Sequence, residues 1–279
     1  MTLRPEIEAY YALGLEASRL EEGYFPLEEA RTQELVLRHL PDRPLRILDV
    51  GGAAGRHALW LAERGHEVHL VDPVPLHVEQ ARQASAAAPR PLAGASVGDA
   101  LALGQRDASV DAVLLLGPLY HLPERAERVA ALREARRVLK PGGLLFAAAI
   151  SRFASLLEWL MGSRLADADF RSIAFADVGH GRHQNPTGRP DLFTTAFFHR
   201  PEELRAEVAE AGLSVLDLLP IEGPGARVLG FAEAWADPAL REGILEAVRL
   251  VEREPTLIDV SPHLMAIARR EVDAAPTPV

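Results

Sequence analysis

The sequence predicts an α/β fold in which a doubly wound, mostly parallel sheet ends in an antiparallel edge strand, with N-terminal helices before it and helical inserts after it. Short apolar runs alternate with segments of helical period between residues 45 and 150. Such alternation is typical of parallel strands joined by crossover helices. The composition, 48% hydrophobic and 25% charged over 279 residues, is that of a globular chain with a sizeable core.

The N-terminal segment, residues 1–40, is predicted to be a helical cover over this core. Apolar side chains recur near every third or fourth position from Pro5 to Leu40, as they do on one face of a helix. The tract 23–26 (GYFP) interrupts them, because glycine and proline disfavour a continuous helix. Two helices joined by a turn are therefore expected.

Residues 41–150 are predicted to form the core of the sheet. Each apolar run is short, as in a buried strand, and a turn is expected at 140–143 (KPGG) before the last of them. The predicted strands are Leu45–Val50, Glu67–Asp72, Ala95–Gly98, Val110–Leu116 and Leu144–Ile150. The predicted helices are Ala58–Arg64, Leu76–Ala87 and Arg125–Leu139.

The regular alternation stops after residue 150. Residues 151–199 are predicted to be an insert over the ligand-binding edge of the sheet, with a helical part to Asp177 and a polar loop from Val178 to Asp191. Residues 200–279 are predicted to complete the sheet and to carry a helical insert. The elements expected after the loop are strand Leu192–His199, helix Pro201–Ala211, strand Leu213–Ile221, helical residues Gly225–Glu254 broken near Asp237, and strand His263–Arg269.

Charge and composition exclude several classes of function. The 30 basic and 40 acidic residues give a net charge of −10, which disfavours binding to the phosphates of DNA. The absence of cysteine excludes disulfides, thiolate nucleophiles and Cys-ligated metals. No run approaches the roughly 18 apolar residues that span a bilayer, and the first residues lack a signal-peptide pattern. A cytoplasmic protein without a DNA or membrane partner is predicted, and the sequence carries no signal for an oligomeric state.

The glycine-rich segment 49–55 (DVGGAAG) directly follows the first predicted strand and precedes a helix. Small residues there allow a sharp turn and let a nucleotide-like ligand approach bare backbone beside a helix N-terminus. Asp72 ends the second strand 21 residues after Gly51, where an acid reaches a ribose diol in such units. The dinucleotide spacing G-x-G-x-x-G would put Arg56 or His57 at its last glycine, so a nicotinamide site is disfavoured.

The chain resembles the class I S-adenosylmethionine (SAM)-dependent methyltransferases in six stretches that occur in order. These stretches are ILDVGGAAG, HLVDP, VGDA, DAVLLLGPLYHL, REARRVLKPGG and HRPEELRAEVAEAGL. The resemblance implies a Rossmann-like fold, SAM as methyl donor and S-adenosylhomocysteine (SAH) as product. Ala53 stands where the family usually has a second glycine, which narrows the loop slightly.

By this resemblance, side chains at successive strand ends would hold the cofactor. The glycine loop would line the methionine part, Asp72 would bind the ribose hydroxyls, and Asp99 would bind the adenine amino group. Asp49 would orient the loop or the cofactor amine. The expected cofactor contacts are Asp49, Gly51, Gly52, Ala53, Gly55, Asp72, Pro73, Asp99, Ala100, Leu116 and Gly117.

Methyl transfer requires alignment of donor and acceptor and, for some acceptors, a base. His121 and Tyr120 lie just past the fourth predicted strand, where the family places acceptor-side residues, and they are the candidate catalytic residues. Packing beside the cofactor is the alternative role for His121. The His-x-x-His pair in the polar loop lacks an acidic third ligand at a convincing offset, so no metal is expected. The expected acceptor contacts are Tyr11, Tyr24, Arg31, Arg152, His180 and His183.

The methyl acceptor is predicted to be a small molecule in a closed pocket, roofed by the helical additions on either side of the core. The fourth strand is followed by GPLY at 117–120. The Asn/Asp-Pro-Pro-aromatic signature of methyltransferases that act on bases does not occur there. Two alternatives stay open. One is a SAM- or SAH-binding protein with a regulatory or non-methylating role, and the other is a methyltransferase acting on a protein, a peptide or RNA.

Overall fold

A computed structural model describes residues 4–14, 23–162 and 164–272. The α-helices in these ranges are α1 Pro5–Tyr11, α2 Phe25–His39, α3 Arg56–Glu63, α4 Pro75–Ala87, α5 Arg125–Val138, α6 Ala154–Met161, α7 Ala168–His180, α8 Pro201–Glu210, α9 Phe231–Ala236 and α10 Pro238–Val251. The strands are β1 Arg46–Val50, β2 Glu67–Asp72, β3 Gly94–Val97, β4 Val110–Leu115, β5 Leu139–Ser151, β6 Arg182–His183, β7 Ala196–His199, β8 Ser214–Pro220 and β9 His263–Arg269. In these ranges, no helix is long and apolar enough to cross a membrane.

The main sheet has the strand order β3-β2-β1-β4-β5-β9-β8. Strands β1 to β5 run parallel to one another. Strand β9 runs antiparallel to both of its neighbours, β5 and β8. The last two residues of β5 pair with β7 rather than β4, so β7 and its partner β6 extend the sheet beyond the carboxyl end of β4. The predicted doubly wound parallel sheet with a closing antiparallel pair is confirmed.

Helices bury apolar side chains on both faces of this sheet. One face packs side chains such as Leu132 of α5 and Val208 of α8. The other face packs Leu61 of α3 together with Leu35 and Val36 of α2. Part of the segment predicted as a cover, residues 1–40, is therefore core, because the apolar face of α2 lies under the sheet. The stretch 15–22 of the predicted N-terminal helices lies outside the described residues.

Several boundaries differ from the sequence prediction. The strand predicted over Leu192–His199 begins only at Ala196, because a 3-10 helix occupies Pro190–Leu192. The tract 140–143 is not a separate turn but a bulge inside β5, where the register with β4 shifts and Gly142 has a φ of +80°. Its backbone stays in the sheet because Arg270 exchanges hydrogen bonds with Gly142 and Gly143. The polar loop is also shorter than expected, since α7 continues to His180 and β6 pairs with β7.

A buried ionic network joins α5 to α8 and β7. The Arg128 guanidinium is 2% exposed and donates to both carboxylate oxygens of Glu207, with its NH2 nitrogen 2.7 Å from Oε1. It also donates to the carbonyl oxygens of Leu122 and Pro123. The same carboxylate accepts a hydrogen bond from His199 at 3.2 Å. These contacts fix the loop after β4 against the carboxyl-terminal half of the chain.

Replacing Glu207 by alanine is expected to lower the free energy of unfolding by about 3–5 kcal/mol, because Arg128 would stay buried without its counterion. Denaturant titration measures the loss. The matched control is Glu124→Ala, which breaks an ion pair with Arg182 in which both side chains are 49% exposed. That variant should lose little stability, because water screens exposed pairs. Equal losses in the two variants would contradict the assignment.

Candidate active site

Two cavities open at the carboxyl ends of β1, β2 and β4 and share part of their walls. The first cavity is lined by side chains and backbone of α1, the glycine loop, and the ends of β2, β3 and β4, including Arg4, Tyr11, Gly51, Ala53, Asp72, Pro73, His77, Asp99, Ala100, Gly117, Tyr120 and His121. The second cavity is lined by Glu28, Thr32, Asp49, Gly51, Gly52, Ala53, Ala54, Arg56, His57, Leu116, Gly117, Tyr120, Ala148, Ile221 and His263. The shared residues are Gly51, Ala53, Gly117 and Tyr120.

The glycine loop has no room for side chains at two positions. Gly51 has a φ of +71°, and a Cβ there would lie 2.7 Å from Cδ of Pro118. A Cβ on Gly52 would lie 2.6 Å from Oδ2 of Asp49. Gly55, at a φ of +89°, is the N-cap of α3. The loop thus presents bare backbone next to a helix N-terminus, where a ligand can reach backbone N–H groups.

Asp72, the last residue of β2, holds the neighbouring loops together. Its Oδ2 accepts a hydrogen bond from the backbone N–H of Ala53 at 2.9 Å. Its Oδ1 accepts from the backbone N–H of Val74 at 2.9 Å and from Nδ1 of His77 at 3.1 Å. Although it lines the first cavity, the side chain is 3% exposed. The carboxylate is therefore already oriented before any ligand contacts it.

Asp49 lies beneath Gly52 and is 1% exposed. Burial away from water, together with the nearby Asp72 carboxylate, raises the pKa of Asp49 to about 7. Its Oδ2 has no hydrogen-bond partner among the described residues. A buried polar atom without a partner is costly, and a cationic group in the second cavity could supply the missing contact.

His121 closes the first cavity together with Tyr11 of α1. The Tyr11 hydroxyl lies 2.5 Å from Nε2 of His121, and Nδ1 lies 3.4 Å from the carbonyl oxygen of Thr195. A carbonyl can only accept, so Nδ1 donates and Nε2 accepts from the tyrosine. Burial lowers the pKa of His121 to about 4, which leaves the ring neutral near pH 7. Both roles predicted for His121, a catalytic contact and packing beside the cofactor, place its side chain at this cavity.

The structure brings the expected cofactor residues to one edge of the sheet. Ten of the eleven line at least one of the two cavities, and Gly55 caps α3 behind them. Tyr120, the other candidate catalytic residue, lines both cavities. These placements agree with the order of the strand ends from which they were predicted.

Three residues expected to contact the acceptor are instead committed to internal contacts. Arg31 is fully buried, and its NH2 nitrogen lies 2.6 Å from Oε2 of Glu252. Arg152 is 4% exposed and donates to the carbonyl oxygen of Phe198 at 2.8 Å. His183 is 2% exposed, and its Nδ1 lies 2.8 Å from Oδ2 of Asp177. These side chains join elements of the fold and line neither cavity.

The remaining acceptor candidates divide. Tyr11 lines the first cavity, as expected for an N-terminal cover. Tyr24 lines neither cavity. Burial is the main cause that raises the pKa of its phenol, and the negative charge of Glu222 raises it further. His180 is exposed at the end of α7, where Nδ1 accepts from the backbone N–H of Arg182. The described residues of 151–199 line neither cavity. Phe170 packs with Ile173 and Leu192, and Phe193 packs against Tyr120 and His121 behind the first cavity.

No sequence motif indicated a role for Glu28, Glu222 or His263. Each of them offers one nitrogen or oxygen atom to a group in which all atoms lie within 4.8 Å of one another. Nδ1 of His263 is 2.6 Å from Oε1 of Glu222 and 3.7 Å from Oε2 of Glu28. The sequence pointed only to the His-x-x-His pair of the polar loop as a possible metal site, whereas the structure brings this other histidine and two carboxylates together. The available signal was the position of His263 at the start of the closing strand.

Proteins of known class are similar to this chain in sequence and fold. Residues 47–143 match the methyltransferase domain family. A ubiquinone biosynthesis O-methyltransferase of Methylocella silvestris is 31% identical over 211 residues, which cover 69% of this chain and 72% of that protein. The enzyme of the same name from Methylobacterium nodulans is 32% identical over 184 residues, and the match spans 64% of either chain. A SAM-dependent methyltransferase structure from Methanosarcina mazei covers 86% of this chain and 98% of its own, with 18% identity and a TM-score of 0.57.

The glycine loop, the acids at successive strand ends and these similarities define the class of the protein. The chain belongs to the SAM-dependent methyltransferases. Its cofactor is SAM, and SAH is the product. The class I fold inferred from six stretches of sequence is confirmed.

Proposed function

We propose that this chain transfers the methyl group of SAM to a hydroxyl oxygen of a small molecule bound in the second cavity. The observation that carries the proposal is the wall shared by the two cavities, which includes Gly51, Gly117 and Tyr120. A donor whose nucleoside part lies in the first cavity would meet an acceptor in the second cavity across it. Oxygen as the acceptor atom is supported by the O-methyltransferase names of the two relatives.

The donor would lie along the edge of the sheet. Asp99 would bind the adenine amino group, and Asp72 would bind the ribose hydroxyls, with both side chains in the first cavity. The methionine part would pass over the bare backbone of Gly51 and Gly52 into the second cavity, where its amine would meet Oδ2 of Asp49. The cramped Cβ positions and the buried carboxylate oxygen both fit SAM.

When bound, SAM supplies a methyl group that its sulfonium activates for displacement. The protein must then align the acceptor and exclude water. Tyr11 and His121 close the first cavity from the side of α1. Tyr120 lies in both cavities and would orient the acceptor beside the donor. Because the His121 ring already bonds to Tyr11 and faces Thr195, we assign it to packing and orientation rather than to proton transfer.

Methyl-labelled SAM tests this function. Purified protein is incubated with the donor and either the low-molecular-weight fraction or the macromolecular fraction of a cell extract. Label should enter a small molecule as a methyl ether. Gly51→Ala, which is expected to bind the donor more weakly, serves as the negative control at a subsaturating concentration of SAM. Label found only in protein or RNA, or no transfer above this control, would contradict the proposal.

The affinity for SAH is expected to depend on pH through Asp49, whose pKa of about 7 leaves it largely protonated at lower pH. A cationic amine favours the carboxylate, so binding below pH 7 must release a proton. Affinity should fall about tenfold for each unit of pH below 7 and stay level above it. Calorimetry at about pH 6 and about pH 8, in buffers of different ionisation enthalpy, measures the proton release. The Asp49→Asn variant should show no such release, and its absence in the wild type would contradict the assignment.

A further inference from the structure

His263, the first residue of β9, lines the second cavity at the ligand-binding edge of the sheet. It pairs with Ile150 near the end of β5, and its side chain is 15% exposed. Gly51 and Gly117, which line the same cavity, also line the first. A molecule in the second cavity would therefore contact this imidazole next to the place of the donor.

Glu222 fixes the orientation of the His263 ring. Its Oε1 accepts a hydrogen bond from Nδ1 of His263 at 2.6 Å. Its Oε2 accepts from the backbone N–H of His263 at 3.1 Å and from the Ser261 hydroxyl at 2.8 Å. Ser261 Oγ in turn accepts from the backbone N–H groups of Glu222 and Gly223, so its own proton points to the carboxylate. The fully buried Glu222 side chain is thus held by three donors.

This hydrogen bond also sets the tautomer of the imidazole. With Nδ1 donating to Glu222, the lone pair of the neutral ring lies on Nε2. A carboxylate behind a histidine stabilises the imidazolium that forms when the ring takes up a proton. Glu28 of α2 adds a second acidic oxygen, 3.7 Å from Nδ1. The other titratable side chains that line the cavity with His263 are Asp49, Arg56, His57 and Tyr120.

From this arrangement we infer that His263 is the general base that deprotonates a hydroxyl acceptor in the second cavity, with Glu222 as its positioning residue. The O–H bond breaks, the proton moves to Nε2, and the electron pair stays on the oxygen, which becomes the nucleophile. Glu222 stabilises the imidazolium, which returns its proton to water after the product leaves. No oxidant, reductant or further reactant is needed.

The inference rests on the proposed function and narrows its substrate class. An imidazole is a weak base, so it can deprotonate only hydroxyl groups that are acidic enough to ionise without a strong base. Phenols and enols meet this condition, whereas an alkyl alcohol does not. The apolar part of the wall, which includes Leu116, Ala148 and Ile221, suits an aromatic body. We therefore assign the acceptor to phenols or enols.

The test uses 4-nitrophenol, whose phenolate absorbs visible light, with the full chain saturated with SAH. The ionised fraction of the bound probe is followed against pH in wild type, His263→Gln and Glu222→Gln. The matched control is His180→Gln, which changes an exposed histidine outside both cavities. Wild type and the control should lower the apparent pKa of the bound probe by about one unit or more, a tenfold change in ionisation. His263→Gln should remove this shift, and Glu222→Gln should reduce it.

Three results would overturn the inference. The first is equal ionisation of the bound probe in wild type and His263→Gln. The second is failure of the wild type to bind the probe as the phenolate. Ionisation that requires added Mg²⁺ and disappears with EDTA would show that Glu28, Glu222 and His263 hold a metal instead. Calorimetry with SAH on the same samples distinguishes a failure of the proposed function from a failure of the role assigned to His263. If the wild type did not bind SAH, the proposed function would be refuted. If it bound SAH but did not ionise the probe, only the role of His263 as general base would be refuted.

Discussion

Replacing Gly51 by alanine is expected to weaken SAH binding by roughly ten- to hundredfold. The new Cβ would lie 2.7 Å from Cδ of Pro118, and the rigid proline ring cannot turn away. Either the glycine loop or the segment after β4 must then move, and both line the two cavities. Overpacking of this kind costs about 1–3 kcal/mol, which corresponds to a change of up to about a hundredfold in affinity. Calorimetric titration with SAH measures it.

Gly142→Ala is the matched control for this prediction. Gly142 has a φ of +80°, close to the +71° of Gly51, but the nearest atom to its Cβ position lies 3.9 Å away. Both variants therefore share the strain of an alanine in the left-handed region, about 1–2 kcal/mol, and only one of them blocks the site. Gly142→Ala should lose stability and keep its affinity for SAH. Equal affinities for SAH in the two variants would contradict the assignment of Gly51 to the donor site.

Asp72→Asn is expected to lower the affinity for SAH by about ten- to a hundredfold, or roughly 1.5–3 kcal/mol. The amide keeps the shape of the side chain but replaces one accepting oxygen by a donor. It can no longer accept from Ala53, Val74 and His77 while also binding the ribose hydroxyls. The melting temperature should fall as well, because the internal bonds of Asp72 join β2 to the glycine loop. Calorimetry and thermal denaturation measure the two effects separately.

Asp111→Asn serves as the control at the opposite end of the sheet. Asp111 also accepts a backbone hydrogen bond, from Arg46 at 2.9 Å, and it pairs with Lys140 at 3.0 Å. It lines neither of the two cavities described here. Its substitution should affect stability but not the affinity for SAH. If Asp72→Asn bound SAH as tightly as Asp111→Asn does, the ribose contact would be wrong.

The sheet and the donor side of the site could be predicted because their signals are local. The apolar run before the glycines became β1, Arg46–Val50, and the acid expected at the second strand end is the last residue of β2. Parallel strands carry their ends to one edge, so Asp72 and Asp99 meet in the first cavity. Periodicity and turn chemistry are sufficient for this part of the structure.

Contacts between distant segments could not be predicted in the same way. Glu28, Glu222 and His263 come from α2, the residues after β8 and the start of β9, and no spacing in the chain relates them. Arg31 was predicted to contact the acceptor and does not. The sequence of a helix does not show whether an arginine faces a ligand or a buried acid. Arg31 meets Glu252, 221 positions further along the chain. Within 151–199, Phe170 packs with Ile173, Leu192 and Trp159, whereas Phe193 packs against Tyr120 and His121. Hydrophobicity alone did not distinguish these positions from a roof.

The most direct test of the account is a crystal structure of the protein with SAH. The account predicts adenine beside Asp99, the ribose at Asp72, and the amine next to Asp49. The sulfur atom should face the second cavity, on the side where Tyr120 and His263 lie. A bound SAH whose sulfur points away from that cavity, or whose amine lies far from Asp49, would contradict both the orientation of the donor and the proposed place of the acceptor.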